Sequence, residues 1–243
     1  MQSKRGSTLK TLKPMLGKYS LSVSDTVLDA GCGYGLRSIE ISKEVGCQVV
    51  SIDLSLRCIT SVYAQRGKYN IDFIRADLQY LPLIENSMDK IVSGDVLEHI
   101  PNVSKTLEEF YRVTRRTGMV FLLVPSHISE KLFLKLDNTY AKRIGHLRTF
   151  ESLQLLSLVQ CAGFCTLVSY KVEFFRAFYH LFQVLSGSKI EHQTGRAILD
   201  NSGLSLISRI TRVIFYSWIG DLIEAAGEHV FPNSFVVIAA KIK

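Results

Sequence analysis

Thr26-Val27-Leu28-Asp29-Ala30-Gly31-Cys32-Gly33-Tyr34-Gly35 runs from a short aliphatic segment, through an acid, into three glycines at alternate positions. A helical pattern then begins at Leu36. The stretch predicts a strand, a tight turn and a helix start. Glycine adopts positive φ without strain and puts no Cβ between the backbone and a ligand, so such a turn can lie directly against a bound molecule.

Outward from this turn the same unit repeats. Gln48–Ile52 reads as a second buried strand closed by Asp53, Ile71–Arg75 as a third ending at Ala76-Asp77, and Lys90–Ser93 as a fourth ending at Gly94-Asp95. Between them Leu36–Val45, Leu56–Arg66 and Val103–Thr114 carry helical periodicity, with Asn102 or Ser104 to cap the last. Gly118–Val124 is an apolar strand stopped by Pro125, Ser152–Ala162 a helix, Cys165–Glu173 a sixth strand and Ser234–Lys241 a final one. Apolar strands alternating with helices mean an α/β fold, with a mostly parallel sheet covered on both faces. Three segments fall outside the alternation: a basic N-terminal helical segment over 1–24, a loop-rich insertion over 126–150, and a helical, aromatic-rich insertion over 174–226. The 243 residues are expected to form a single domain.

With 47% hydrophobic and 21% charged residues the composition is that of an ordinary globular protein. The net charge of +7 favours anionic partners without choosing among them. No run approaches the roughly 20 apolar residues of a membrane span. The N-terminal segment carries Lys4, Arg5, Lys10, Lys13 and Lys18 before its first acid, Asp25, and has no apolar signal core. Five cysteines without a paired histidine set speak for reduced thiols in a cytoplasmic setting and against a metal site.

In an open parallel sheet, ligands sit at the carboxyl ends of the strands. Asp29 with the glycines, Asp53, Asp77, and Gly94-Asp95 all fall there. Asp53 lies about 20 residues past the glycine turn, the offset at which an acid receives two ribose hydroxyls. A dinucleotide turn wants G-x-G-x-x-G, but the third glycine position of that pattern is Leu36 here, and an acid at Asp29 opposes a pyrophosphate. A phosphate-free nucleoside with a cationic amino acid group, S-adenosylmethionine, suits the turn better than a nicotinamide dinucleotide.

Val27–Gly35, Asp53, Ala76-Asp77-Leu78 with Leu81-Pro82-Leu83, and Asp89–Ile100 resemble the ordered motifs of the class I S-adenosylmethionine-dependent methyltransferases, in their small-molecule, quinone- or sugar-modifying group. The resemblance covers roughly residues 25 to 170. It implies a Rossmann-like sheet of seven strands with the last one antiparallel. It also implies a cofactor site in which Asp29 and Gly31 face the methionine amino end, and Cys32, Gly33 and Gly35 let the turn approach. Asp53 would take the ribose, Leu54 would pack on the adenine, and Ala76, Asp77 and Leu78 would meet its edge. Gly94, Asp95 and Val96 would line the methyl-donor end. It implies S-adenosylmethionine as cofactor and S-adenosylhomocysteine as product, with methyl transfer to a small-molecule or lipid-like acceptor. His146, in Gly145-His146-Leu147-Arg148, is the candidate general base, with His99 and Tyr140 as alternatives and His127 and Arg148 behind them. Residues 174–226 carry apolar positions at helical spacing beside Arg209 and Arg212, which fits a substrate lid, a peripheral membrane contact or a homodimer face. An RNA methyltransferase and a non-catalytic cofactor-binding scaffold are the other readings.

Overall fold

The computed structural model describes residues 21–63, 67–137, 140–172, 177, 227 and 230–242. The N-terminal basic segment up to residue 20 and nearly all of the 174–226 insertion therefore lie outside the described residues.

The described chain runs β1 (Thr26–Ala30), α1 (Leu36–Val45), β2 (Gln48–Asp53), α2 (Leu56–Tyr63), β3 (Ile71–Arg75), β4 (Met88–Gly94) and a 3-10 turn at Leu97–His99. It continues as α3 (Val103–Val113), β5 (Thr114–Pro125), α4 (His127–Leu136), α5 (Tyr140–Ile144), α6 (Ser152–Cys161), β6 (Cys165–Val172) and β7 (Ser234–Ala240). The helix boundaries follow from local chemistry. Gly46, at φ 81°, ends α1 in the left-handed conformation that glycine tolerates. The Asn102 side chain accepts the Lys105 N–H at 3.1 Å and caps α3.

The seven strands form one sheet in the order β3-β2-β1-β4-β5-β7-β6. β1 pairs in parallel with β2 and β4, β2 with β3, and β4 with β5. β7 runs opposite to β5: the Thr117 N–H donates to the Lys241 carbonyl at 2.9 Å and the Lys241 N–H to that of Gly118 at 3.0 Å, while the Ser126 N–H reaches Asn233 at 2.7 Å. The last strand is thus antiparallel, as the resemblance implies. The chain winds outward from β1 to β3 and returns to β4 on the other side of β1, so strand order reverses between β1 and β4. Val27, Leu28, Ile52, Ile91, Val120 and Leu122 of the strands are buried, as are Leu107 and Phe110 of α3.

Two expectations change. Residues 126–150 are not loop-rich: α4 and α5 occupy most of the segment, because Ile128, Leu132, Phe133 and Leu136 recur at helical spacing. Phe133, Tyr140 and Ile144 form a small core there, with Leu134 and Phe231 packed on it. β5 begins at Thr114 rather than Gly118, through an irregular start. Thr114 pairs with Met88 and Met119 with Lys90, so the intervening residues loop out, with Thr117 at φ 66°.

By compactness the chain divides into two units. The first takes the chain up to Leu123, Leu153–Ser169 and Val237 onward; the second takes Val124–Ser152 and Tyr170–Val236. In the first unit Lys241 is only 6% exposed. Its ammonium donates to Asn86 Oδ1 and to the carbonyls of Tyr111 and Thr114 at 2.8–2.9 Å, and lies 4.4 Å from the Tyr111 ring centre. Burial lowers its pKa.

Glu109 and Arg112 on α3 clip the loop that follows Asp77. Glu109 accepts the Leu81 N–H at 2.8 Å, and Arg112 donates to the carbonyls of Leu83 at 2.8 Å and Leu81 at 3.0 Å and to the Glu109 carboxylate. The Arg112 hydrogen bond holds the Glu109 carboxyl below its ordinary value of 4.5. A depressed native pKa means that the unfolded chain takes up this proton first as pH falls. The stabilisation is present above pH 4.5 and is lost as pH drops through the lower native value. Glu109→Gln is expected to cost about 1–2 kcal/mol at pH 7, with the gap to the wild type closing below pH 4.5 in thermal denaturation. A gap independent of pH would overturn this assignment.

Candidate functional site

The carboxyl edge around β1 and β4 gathers the residues that the sequence singles out. Gly31, Gly33 and Gly35 have φ of 75°, 51° and 67°, so the whole turn is left-handed at alternate positions. The Ile52 carbonyl accepts from the N–H groups of Gly31 at 2.8 Å and Cys32 at 3.0 Å, tying the turn to β2. Gly31 differs from Gly33. A Cβ on Gly31 would fall 2.4 Å from Val96 Cγ2, so this glycine exists to let Val96 close on it. A Cβ on Gly33 would meet nothing within 4 Å, so Gly33 borders open space.

Gly31→Ala is expected to cost about 3 kcal/mol, from positive φ and from overpacking against Val96. Chemical denaturation of Gly31→Ala, Val96→Ala and the double variant tests this. Val96→Ala should recover the packing part of the loss and leave the backbone part. Strict additivity would refute the contact.

Asp53 closes the far side of the turn. Its Oδ2 accepts the Gly33 N–H and its Oδ1 the Ser55 N–H, each at 2.8 Å. Leu54 beside it is 63% exposed, an apolar side chain standing open at a strand end. Ala76 donates its N–H to the Asp53 carbonyl at 3.2 Å. The Asp77 carboxylate is held by Gln79, through its backbone N–H at 2.9 Å and its side-chain amide at 3.1 Å, and Leu78 is buried. Past Gly94, Asp95 has φ 56°, an uncommon conformation for a residue with a side chain, and its N–H is fixed by the Leu123 carbonyl at 3.0 Å. Ser93 carries a buried hydroxyl with no hydrogen-bond partner among the described residues.

Asp29 differs from expectation. It is fully buried, so it presents no surface of its own to a ligand. The Ser38 hydroxyl donates to its Oδ2 at 2.6 Å, and the Ser51 hydroxyl supports Ser38 at 2.7 Å. Arg37 Nη1 lies 3.4 Å from Oδ1, and Nη2 lies 3.5 Å from the Gly94 carbonyl oxygen. Arg37 was not a sequence candidate, because in a helical pattern its position reads as surface. Cys32 is buried in the turn, and burial together with the neighbouring Asp29 and Asp53 raises its thiol pKa far above the ordinary value, so it stays protonated and serves as packing. All five cysteines are free thiols. His99 Nε2 sits 4.0 Å from Glu98 Oε1 in the turn after β4.

The second unit holds a different constellation. Glu130 on α4 is 3% exposed. His146 Nδ1 donates to its Oε2 at 2.7 Å and the Tyr140 hydroxyl to its Oε1 at 3.2 Å. A carboxylate can only accept, so the hydrogen bond places a proton on His146 Nδ1 and orients the ring. Two sequence candidates, His146 and Tyr140, are thus joined by a residue the sequence reading missed; the missing signal was the helical register of α4. Ser126, directly after β5, bridges to Phe150 in parallel fashion, which ties the chain following His146 to the end of that strand. His127 is elsewhere engaged, with Nδ1 at 2.9 Å from the Thr149 hydroxyl and Nε2 at 3.7 Å from Glu151.

Residues 28–122 match the family model described as "Methyltransferase domain", of type 11. Among curated proteins, the chain is 30% identical over 105 residues to sterol 24-C-methyltransferase of Saccharomyces cerevisiae, covering 42% of this chain and 27% of that one. It is 28% identical over 174 residues to a protein named "Probable S-adenosylmethionine-dependent methyltransferase" of Mycolicibacterium smegmatis, covering 72% of this chain and 65% of that one. The chain thus spans less than two thirds of the length of either relative. Among solved structures, the [4+2]-cyclase SpnF superposes with a TM-score of 0.66 at 20% identity, over 99% of this chain and 84% of that one. This last likeness shows the shared fold alone.

Proposed function

We propose, for a chain whose residues 28–122 match a methyltransferase domain, that it is a class I enzyme transferring a methyl group from S-adenosylmethionine to a small-molecule or lipid-like acceptor. The observation that carries the reading is the left-handed glycine turn locked by Asp53, with open space at Gly33 and exposed Leu54 beside it.

The residues fit the cofactor. The Asp53 carboxylate has lone pairs beyond its two backbone bonds for the ribose hydroxyls. Leu54 offers an apolar face to a purine, and Asp77 with the Leu78 amide offers an acceptor and a donor to its edge. The orphaned Ser93 hydroxyl stands in the strand leading to Gly94 and Asp95. When bound, the cofactor supplies an electrophilic methyl group on a sulfonium. What the protein adds is orientation, which is worth several kcal/mol where two reactants are held in line. His146, oriented by its hydrogen bond to Glu130, is the group proposed to take a proton from an acceptor that loses one.

The acceptor class rests on the sterol methyltransferase relative, and the chain's own charge and aromatic insertion agree with a lipid-like molecule. Among the described residues no helix is long and apolar enough to cross a membrane. The cyclase neighbour is a reminder that one fold serves several reactions. Calorimetry of the purified chain with S-adenosylhomocysteine tests the proposal. Saturable one-to-one binding is expected, and no detectable heat or thermal stabilisation at millimolar ligand would reject the cofactor assignment. Methyl transfer from labelled S-adenosylmethionine into a lipid extract would then separate an enzyme from a scaffold.

A further inference from the structure

We infer that Arg37 is the receptor for the carboxylate of the ligand's amino acid end, with Asp29 acting behind it as a positioning residue; this rests on the cofactor reading above. Three observations carry it. Asp29 has no exposed surface, and both its oxygens are engaged, by the Ser38 hydroxyl at 2.6 Å and by Arg37 at 3.4 Å. An ammonium group therefore reaches Asp29 only by displacing the guanidinium. The Arg37 side chain, by contrast, is 20% exposed. Gly94, finally, is shaped around it: a Cβ there would fall 2.5 Å from Arg37 Nη2, so the glycine lets the guanidinium lie against the end of β4.

The charge balance decides what this group binds. Arg37 and Asp29 form one neutral pair, but the anion is buried inside it and the cation outside, so a ligand meets the positive member. The two bonds that Arg37 makes among the described residues, at 3.4 and 3.5 Å, sit at the long end of hydrogen-bonding range. A guanidinium has five N–H donors in a planar fork that matches a carboxylate. Two long bonds leave donors over for that partner, and Asp29 keeps the fork aimed. The amino acid ammonium is left to backbone carbonyls, and specificity for an intact amino acid end comes from its carboxylate.

The test compares two ligands on two proteins. S-adenosylhomocysteine and its decarboxylated analogue, S-adenosyl-3-thiopropylamine, differ only in the carboxylate. Calorimetry on the wild type is expected to favour the carboxylate-bearing ligand by roughly tenfold to a hundredfold. Arg37→Met is expected to abolish most of that preference, and Arg37→Lys to keep part of it. Partial unfolding of a variant lowers both affinities by one factor and leaves the ratio readable. An unchanged ratio in Arg37→Met overturns the inference and leaves the cofactor reading standing. Tighter binding of S-adenosylhomocysteine to Arg37→Met also overturns it, since the guanidinium would then be an obstruction. A wild type that binds neither ligand overturns both.

Discussion

Asp53→Ala is expected to lower affinity for S-adenosylhomocysteine on the order of a thousandfold, the sum of two charge-assisted hydrogen bonds at about 1.5–3 kcal/mol each. Part of the loss is indirect. The same carboxylate accepts the Gly33 and Ser55 N–H groups, so alanine frees the turn as well as removing the acceptors. Asp53→Asn separates the two effects. The asparagine oxygen can hold one backbone N–H, and its amide cannot accept, so an intermediate loss of about tenfold to a hundredfold is expected if ligand contact dominates. Titration calorimetry reads both, with circular dichroism to establish that the fold persists. A tenfold loss or less for alanine would mean that Asp53 shapes the turn and does not touch ligand.

The second large effect belongs to the other unit. Glu130→Ala is expected to destabilise the protein by about 3–5 kcal/mol, because it removes a buried carboxylate that accepts from both His146 Nδ1–H and the Tyr140 hydroxyl. For a chain of this size that corresponds to a melting point lower by roughly 10 °C or more. Glu130→Gln should recover about half, since its carbonyl satisfies one donor and its amide faces the other. Melting curves of Glu130→Ala, His146→Ala and the double variant give a thermodynamic cycle. The coupling between positions 130 and 146 is expected to exceed about 1 kcal/mol, and independent effects would dissolve the dyad.

Most of the first unit was legible because its signals are local. An apolar run followed by an acid or a glycine marks a strand end, and the spacing from the glycine turn to Asp53 is visible in one dimension. The antiparallel last strand came from the family resemblance. What escaped depends on which face of an element looks where. Arg37 reads as a solvated helix position until the turn brings it onto Gly94 and Asp29. Glu130 lies in a segment that reads as loop, where Lys131 and Lys135 interrupt the apolar pattern that Ile128, Leu132, Phe133 and Leu136 carry. Asp29 is legible as a strand-end acid, but its burial behind Arg37 is not encoded in its spacing.

The position of β7 between β5 and β6 has a kinetic meaning. β6 ends at Val172 and β7 begins at Ser234, so about 60 residues must be synthesised before β6 gains its neighbour in the sheet. Until then β5 and β6 each present an unpaired edge to the surrounding solution, the condition under which chains associate wrongly. When β7 arrives it completes the pairing on both sides and brings Lys241 to carbonyls near the start of β5. Maturation of this protein is therefore governed by a late, non-local insertion, and its yield on expression should depend on temperature and chaperone supply more than its native stability would imply.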